Sequence, residues 1–247
     1  MKGSSVEQKS SPTHCRSRSP CSVEVSVVFR SHAVVPSSTR IPFLMLLTAS
    51  KELTMSPSSV SLPGNMTCPK SVVWNKNRGV SIYLMHPDYD TSTSSNDIAL
   101  IYLTTPLDLS VPSAKALNLP PPATEFDPPA GTITTVSGWG TTIYGGSISN
   151  VLLSIDVPIV SDADCNAAFA GPFDPNPIFP SNLCAGGVGG VDSCQGDSGG
   201  PLFTGTGADA VQHGIVSWGR APCAVAGYPG VYTQVSYFLD WIAANRR

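Results

Sequence analysis

The sequence has few charged residues and no long apolar run. Asp, Glu, Lys and Arg together make up 13% of the 247 residues, and the net charge is -3. A chain without a basic field lacks the electrostatic footprint of a nucleic-acid-binding protein. The longest apolar run, Ile41–Leu47, is far shorter than the roughly 18 residues of a membrane-spanning helix. We therefore expect neither a nucleic-acid partner nor a membrane partner.

The sequence also lacks metal-ligand motifs and a recognisable export signal. No group of His and Cys residues has the spacing of a metal site, so we expect no metal and no cofactor. Residues 1–22 are polar and rich in Ser, without the apolar core of a signal peptide. We expect this segment to be a disordered tail, because it has little apolar surface to bury.

Turn-forming residues are abundant. The chain contains 22 Gly and 23 Pro, which favours many short strands over long helices. Val23, Val25 and Val27 alternate with polar residues, which is typical of a half-buried strand. At this length the sequence predicts one large all-β domain or two small ones.

Residues 192–201 read Asp-Ser-Cys-Gln-Gly-Asp-Ser-Gly-Gly-Pro. A serine hydroxyl becomes a nucleophile when a tight turn exposes it beside a base and amide N–H groups face the oxyanion that it creates. Gly196 and Gly199 permit such a turn around Ser198, and the N–H groups of Gly196 and Ser198 would form the oxyanion hole. The decapeptide resembles the nucleophile loop of the chymotrypsin/trypsin family of serine endopeptidases.

The resemblance extends from about residue 79 to the end of the chain. Asn96–Leu100 resembles the family's aspartate motif, and Ser137–Gly140 resembles the strand that opens its second barrel. The implied fold is all-β, with two antiparallel Greek-key β-barrels and a C-terminal helix. The expected division is a tail over 1–22, a first barrel over 23–115, a Pro-rich connector over 116–132, a second barrel over 133–234 and a helix over 235–247.

The resemblance also implies a site and a reaction. Ser198 would attack the peptide bond, Asp97 would orient the base, and Asp192 would pair with a substrate Arg or Lys at the floor of a specificity pocket. The other substrate-binding positions are Gln195 at the rim, Ser217 and Gly219 along an extended substrate, and Gly219 with Gly230 as open pocket walls. The implied activity is cleavage of polypeptides after Arg or Lys by a monomeric enzyme.

The chain has seven cysteines. The resemblance assigns four of them to two disulfides, Cys165–Cys184 and Cys194–Cys223. A third family bridge would need cysteines where Thr134 and Thr204 stand, so this chain lacks both halves of it. The remaining three match no family position: Cys15, Cys21 and Cys68. Two disulfides predict an oxidising, extracellular compartment.

The sequence departs from the family at the general base. The family reads Leu-Thr-Ala-Ala-His-Cys there, and the best-matching segment here ends in Ala49-Ser50-Lys51-Glu52. Lys51 precedes Asp97 by 46 residues, close to the spacing of about 45 in the template triad. A lysine with a pKa near 10.4 is protonated at neutral pH and cannot take the proton of Ser198. The chain as written is therefore predicted to be nearly inactive.

The family also needs a free N-terminus reading Ile-Val-Gly-Gly, whose ammonium pairs with the aspartate before the nucleophile, here Asp197. That tetrapeptide is absent from the sequence. Three hypotheses follow. In the first, the native protein is an active protease, and the first ~70 residues here are a mis-spliced or frame-shifted version of its N-terminal half. In the second, the chain is a pseudoprotease that binds proteins as a partner or decoy. In the third, His14 or His32 replaces the missing base.

Overall fold

A computed structural model describes residues 23–24, 80–103, 114–122, 128–150, 152–171 and 177–246. In these ranges the strands are β1 (Val23–Glu24), β2 (Val80–Met85), β3 (Ala99–Leu103), β4 (Ala114–Lys115), β5 (Ile133–Gly138), β6 (Leu153–Val160), β7 (Asn182–Gly186), β8 (Pro201–Thr204), β9 (Val211–Trp218) and β10 (Pro229–Gln234). The described residues form two α-helices, α1 (Asp162–Phe169) and α2 (Leu239–Asn245).

Strands β5 to β10 form a closed barrel. Their order around it is β10-β7-β6-β5-β8-β9, and every neighbouring pair is antiparallel. Inward and outward residues alternate along β6, where Ile155, Val157 and Ile159 are buried because successive side chains of a strand point to opposite faces. With the C-terminal helix, this barrel confirms the predicted all-β fold.

The described part of the N-terminal half contains two smaller strand pairs. Strands β2 and β3 pair antiparallel, with Leu84 opposite Leu100. Strand β1 pairs with β4 in parallel, with Val23 opposite Ala114. Most of the segment predicted as the first barrel lies outside the described residues.

An apolar cluster joins β3 to the C-terminal part of the chain. Ile98, Leu100 and Tyr102 pack with Ile215 of β9 and with buried residues of the C-terminal segment, namely Val235, Phe238 and Ile242. The Tyr102 hydroxyl donates to the carbonyl of Asn245 at the end of α2. This packing places the residue before Ile98, which is Asp97, against the barrel.

Helix α1 was not predicted from the sequence. Ser161 caps it by accepting a hydrogen bond from the Asp164 N–H at 3.1 Å, which satisfies one of the free donors of the first turn. Its buried residues are Cys165 and Phe169. Neither α1, with eight residues, nor α2, with seven, is long enough to cross a membrane, and no other described helix is.

Candidate active site

The nucleophile loop lies between β7 and β8 and is held by backbone hydrogen bonds. The N–H of Asp197 donates to the Cys194 carbonyl at 2.9 Å, and the N–H of Gly199 donates to the Val216 carbonyl of β9 at 2.7 Å. Gly196 and Gly199 have φ angles of +93° and +85°, which side chains rarely tolerate. The two glycines therefore make the tight turn that the sequence predicted, and Ser198 stands in it partly exposed.

The carboxylate of Asp197 is buried beneath this loop. Its Oδ1 accepts the Gly140 N–H at 2.7 Å and its Oδ2 accepts the Cys194 N–H at 2.9 Å. A buried carboxylate is tolerable because such hydrogen bonds replace those it made to water. Asp197 thus connects the nucleophile loop to the segment that follows β5.

Because Gly140 has no side chain, the Asp197 carboxylate can pack directly against its backbone. A Cβ atom built on Gly140 would lie 2.3 Å from Asp197 Cγ, well inside van der Waals contact. On the other side of the loop, the Thr141 N–H donates to the Gln195 carbonyl at 2.8 Å. These contacts set the position of Gly196, whose N–H was predicted to bind the oxyanion together with that of Ser198.

Asp97 comes from the N-terminal half of the described chain and meets β9. It is buried, and its Oδ2 accepts a hydrogen bond from the Ser217 hydroxyl at 2.6 Å. The Thr233 hydroxyl of β10 donates to the Asp97 backbone carbonyl at 2.8 Å. Sequence reasoning assigned Ser217 a role only toward substrate, and no local signal in the sequence predicts its bond to Asp97.

The predicted base position cannot be placed, because Lys51 lies outside the described residues, as do His14 and His32. The two described histidines have other contacts. His86 packs on Phe238 and Trp241 with ring centroids 5.2 and 5.0 Å apart, and its partial burial lowers its pKa. The Nε2 of His213 lies 2.8 Å from the Thr204 hydroxyl.

Asp192 is buried beside Gly230 of β10. Its Oδ1 accepts the Ser193 N–H at 2.7 Å. A Cβ atom built on Gly230 would lie 2.9 Å from the same oxygen, so a side chain there would cover the carboxylate. The structure therefore brings Asp192 and Gly230 together. Gly219, exposed just beyond β9, would have its own Cβ 3.9 Å from the Gly230 Cα.

Burial raises the pKa of Asp192 to about 6, since the carboxylate loses solvation. Hydrogen bonds from the backbone of Ser193 and Ala224 oppose this shift, and the Asp197 charge adds to it. A carboxyl group with a raised pKa is suited to binding a cation, because the cation would stabilise the ionised form in place of the water that burial has removed.

Tyr232 was not predicted as part of the site. Its side chain is fully buried, and a Cβ on Gly230 would lie 3.3 Å from its hydroxyl oxygen. Among the described residues, the Ser193 side chain lies near this hydroxyl without the geometry of a full hydrogen bond. Burial, and secondarily the Asp192 charge, raise the pKa of Tyr232, so the phenol is neutral beside the Asp192 carboxylate.

The structure contains two disulfides among the described cysteines. Cys165 of α1 joins Cys184 of β7, and Cys194 joins Cys223. The second bridge ties the nucleophile loop to the segment after β9. The other three cysteines lie outside the described residues: Cys15, Cys21 and Cys68. No described group of three His, Cys, Asp or Glu side chains could hold a metal ion.

Thr134 and Thr204, at the positions where the family's third bridge was expected, are directly opposite each other in the barrel. Strands β5 and β8 pair with Thr135 opposite Phe203 and Val136 opposite Leu202, and the next pair in this register is Thr134 and Thr204. The Thr134 hydroxyl donates to the Val157 carbonyl at 2.8 Å. Hydrogen bonds of Thr134 and Thr204 are thus present where the family's third disulfide was expected.

Comparison with known proteins agrees with this geometry. The sequence model of the family described as Trypsin matches residues 60–242. Trypsin zeta of Drosophila melanogaster is 46% identical over 165 residues, which are 65% of this chain and 56% of that protein. Trypsin-1 of Astacus astacus is 44% identical over 167 residues, or 67% of this chain and 66% of that protein.

Trypsin V-A of Rattus norvegicus is 42% identical over 160 residues, which are 64% of this chain and 59% of that protein. The matched part of the chain thus spans between 56% and 66% of these three relatives. The family match covers most of the chain, and the barrel and both disulfides accord with it. The chain belongs to the trypsin family of serine proteases.

Proposed function

We propose that this site is built to hydrolyse polypeptides after Arg or Lys. The observation that carries the proposal is the buried Asp192 carboxylate, which lies six residues before Ser198 and against Gly230. Under the proposal, the guanidinium or ammonium of a substrate side chain would enter a specificity pocket at Asp192 and pair with that carboxylate in a desolvated setting, where such pairing is strong. The cation would thereby hold the following peptide bond beside Ser198.

The remaining roles follow from the same placement. The Ser198 hydroxyl would attack the carbonyl carbon while a base takes its proton, and the N–H groups of Gly196 and Ser198 would bind the oxyanion. Asp97, held by Ser217, would orient that base. The acyl half of an extended substrate would add as a strand along Ser217 and Gly219. Under the proposal the chain forms two barrels, and the site lies in the cleft between them.

The chain as written is proposed to turn over very slowly, because Lys51 is aligned with the base. Asp97 would hold the lysine as an ion pair and keep it protonated. Loss of the base in a serine triad lowers kcat by around 10⁶, which leaves a rate about 10³ to 10⁴ times that of the uncatalysed reaction. We infer a monomer secreted into an oxidising compartment, which the two disulfides support.

A small cavity lies beside Asp197, where an activating N-terminal ammonium would bind under the proposal. Its lining includes Val136, Leu153 and Ile155 of the barrel, together with Ser193 and Asp197. The cavity has room for about one water molecule, so an aliphatic N-terminal residue produced by proteolysis would enter it only if these walls moved apart.

The specificity pocket can be tested without turnover. p-Aminobenzamidine becomes fluorescent when it enters an apolar recess beside a carboxylate, and we expect it to bind this chain. Asp192→Asn should weaken binding at least tenfold, whereas Ser198→Ala and the exposed Asp209→Asn should leave it unchanged. Binding that survives Asp192→Asn would overturn the assignment of the pocket.

The base position can be tested by restoring an imidazole. Lys51→His should raise hydrolysis of an arginyl ester by 10² or more, a typical gain from general-base catalysis. The neighbouring Ser50→His is the matched control and should change nothing. Strong cleavage by the unmodified chain that disappears in Ser198→Ala would show that another residue is the base, and His14→Ala and His32→Ala would identify it.

A second candidate function is a protein-binding pseudoprotease. The observation that favours it is a site with Asp192, Asp97 and Ser198 all present and Lys51 aligned with the base. Peptide mass mapping of the naturally produced protein separates the two candidates. A peptide containing Lys51 supports the pseudoprotease, and a histidine peptide in its place supports an active protease with a different N-terminal half.

A further inference from the structure

Basic residues are distributed unevenly along the chain. Ten of the 14 Lys and Arg residues precede position 80, and only four follow it, although residues 80–247 also hold 14 Asp and Glu. At average usage of charged residues, a segment of this length would hold about 20 Lys and Arg. The scarcity therefore affects basic residues far more than acidic ones. The four that follow position 80 are Lys115, Arg220, Arg246 and Arg247.

The scarcity coincides with exposed loops. Four described loops contain neither Lys nor Arg, namely 86–98, 139–150, 187–200 and 205–210. Each of them has exposed residues, among which are Asp90, Tyr144, Val188 and Asp209. Exposed loops are the preferred sites of proteolytic nicking, and they are also where basic residues usually occur. A protease that requires Lys or Arg therefore finds no target residue in these four loops.

Lys115 is followed by a segment that is bound to the barrel. It lies in β4, which pairs with β1, and Leu117 just after it is buried. The Asn118 N–H donates to the Ala210 carbonyl at 2.9 Å, and the Asn118 carbonyl accepts the Gln212 N–H at 3.0 Å. A protease binds its substrate as an added extended strand. Cleavage after Lys115 would therefore require this segment to leave the barrel first.

Arg220 is shielded by an aromatic ring. Its guanidinium carbon lies 4.2 Å from the centroid of the Tyr228 ring, which in turn packs on Phe169 with centroids 5.7 Å apart. The chain just after Arg220 is tied to the nucleophile loop by the disulfide between Cys194 and Cys223. For cleavage after Arg220, the guanidinium would have to leave the ring and enter the pocket of the protease, which costs the cation–π interaction.

We propose that the chain from Val80 onward resists proteases that cut after Arg or Lys, and that the protein is thereby protected from cleavage by its own copies. Protection from its own copies rests on the proposed function, whereas resistance to an added protease of this specificity does not. Target residues are absent from the four loops, and the two internal ones are shielded. Rigid loops would protect against a protease of any specificity, so the proposal predicts a resistance that depends on residue identity.

Limited digestion of the Ser198→Ala form, followed by mass spectrometry, tests the proposal without self-cleavage. Added trypsin should leave the fragment that contains residues 80–245 intact. Added chymotrypsin should cut the same protein after Tyr144, which is 50% exposed. Ile143→Arg places a target residue at a position that is 65% exposed and should raise tryptic cleavage within the fragment about 100-fold, because cleavage elsewhere requires local unfolding. Ile143→Gln is the matched control and should stay resistant.

Rapid tryptic cleavage after Lys115 or Arg220 in the folded protein would overturn the proposal. Resistance to both proteases, with Ile143→Arg also uncut by trypsin, would overturn it in favour of rigid loops. Tyr228→Ala should speed cleavage after Arg220 about twofold to fivefold, and an unchanged rate would refute the shielding by the ring. Resistance in a protein that fails to bind p-aminobenzamidine would overturn the proposed function and leave the resistance standing.

Discussion

The Ser217 hydroxyl donates a 2.6 Å hydrogen bond to the buried carboxylate of Asp97. The two residues are 120 positions apart in the chain, and the bond joins the turn before β3 to the barrel strand β9. Because Asp97 is aimed by this contact, the orientation of any base beside it depends on Ser217. The pair links the two halves of the proposed site.

Ser217→Ala should therefore affect both stability and catalysis. Removing the donor leaves a buried carboxylate oxygen short of a partner, which costs about 1–3 kcal/mol. Urea unfolding should show this loss, and kcat of the Lys51→His form should fall with little change in KM. Ser236→Ala removes a hydroxyl bonded to the neutral Gln234 amide and should cost less. An unchanged midpoint in Ser217→Ala would contradict the contact.

Gly140→Ala should be strongly destabilising. Its methyl group would have to occupy space 2.3 Å from Asp197 Cγ, so the buried carboxylate would be displaced from its two N–H donors. Overpacking alone costs about 1–3 kcal/mol, and the disturbed carboxylate adds to it. Gly171→Ala, where a Cβ meets nothing within 4 Å, should change the free energy of unfolding by less than about 0.5 kcal/mol. Equal effects of the two variants would refute this packing.

The free energy of unfolding should fall as the pH rises from 4 to 6, because Asp192 loses its proton in this range. Its folded pKa of about 6 exceeds the ordinary value of 3.8, so the folded state binds more protons than the unfolded state in this window. The stabilisation that comes from protonated Asp192 is complete below pH 3.8 and is lost as the pH rises through 6. At 1.36 kcal/mol per pKa unit, it amounts to about 3 kcal/mol of the free energy of unfolding. Asp192→Asn should abolish this slope in chemical denaturation, while Asp209→Asn should keep it.

The same titration should govern cation binding. Below pH 6 a bound cation must displace a proton from Asp192, so the affinity for p-aminobenzamidine should fall about tenfold for each pH unit. Fluorescence titrations at pH 5 and pH 8 measure this directly. An affinity that is constant across the range would show that the carboxylate is already ionised or does not face the ligand.

Thr134→Cys with Thr204→Cys should form a new disulfide. The two residues oppose each other across β5 and β8 in the observed register, and cysteines on paired strands meet the distance requirement of a bridge. Closing a loop of 70 residues stabilises a fold by up to about 4 kcal/mol in the chain-entropy model. The two lost threonine hydrogen bonds offset about 1–2 kcal/mol of this.

Thiol counting and the melting temperature with and without reductant measure the result. Each single cysteine variant is the control, and each should melt below the original protein. Two free thiols in the oxidised double variant would show that the β5–β8 register is different.

The sequence alone determined the fold class and the family, and it supplied the residues of the proposed site. The turn around Ser198 is predictable because glycine readily adopts the φ angles at 196 and 199, which other residues rarely adopt, and this makes the motif local. The family resemblance around Asp97 and Asp192 is likewise carried by short stretches of chain. Helix α1 escaped prediction, since its eight residues are held by the Ser161 cap and by packing of Cys165 and Phe169 more than by any apolar periodicity.

Only the tertiary structure determined which distant residues meet. The bond between Ser217 and Asp97 arises from packing of the β3 segment on the barrel. The space that Gly140 leaves for Asp197 and the burial of Tyr232 near Asp192 arise from barrel closure. Closure sets strand register through hydrogen bonds between segments far apart in sequence, and single-residue patterns do not encode those pairings. The raised pKa of Asp192 has the same origin, because desolvation depends on what the whole fold packs around a carboxylate, whereas its identity as an acid is a local property.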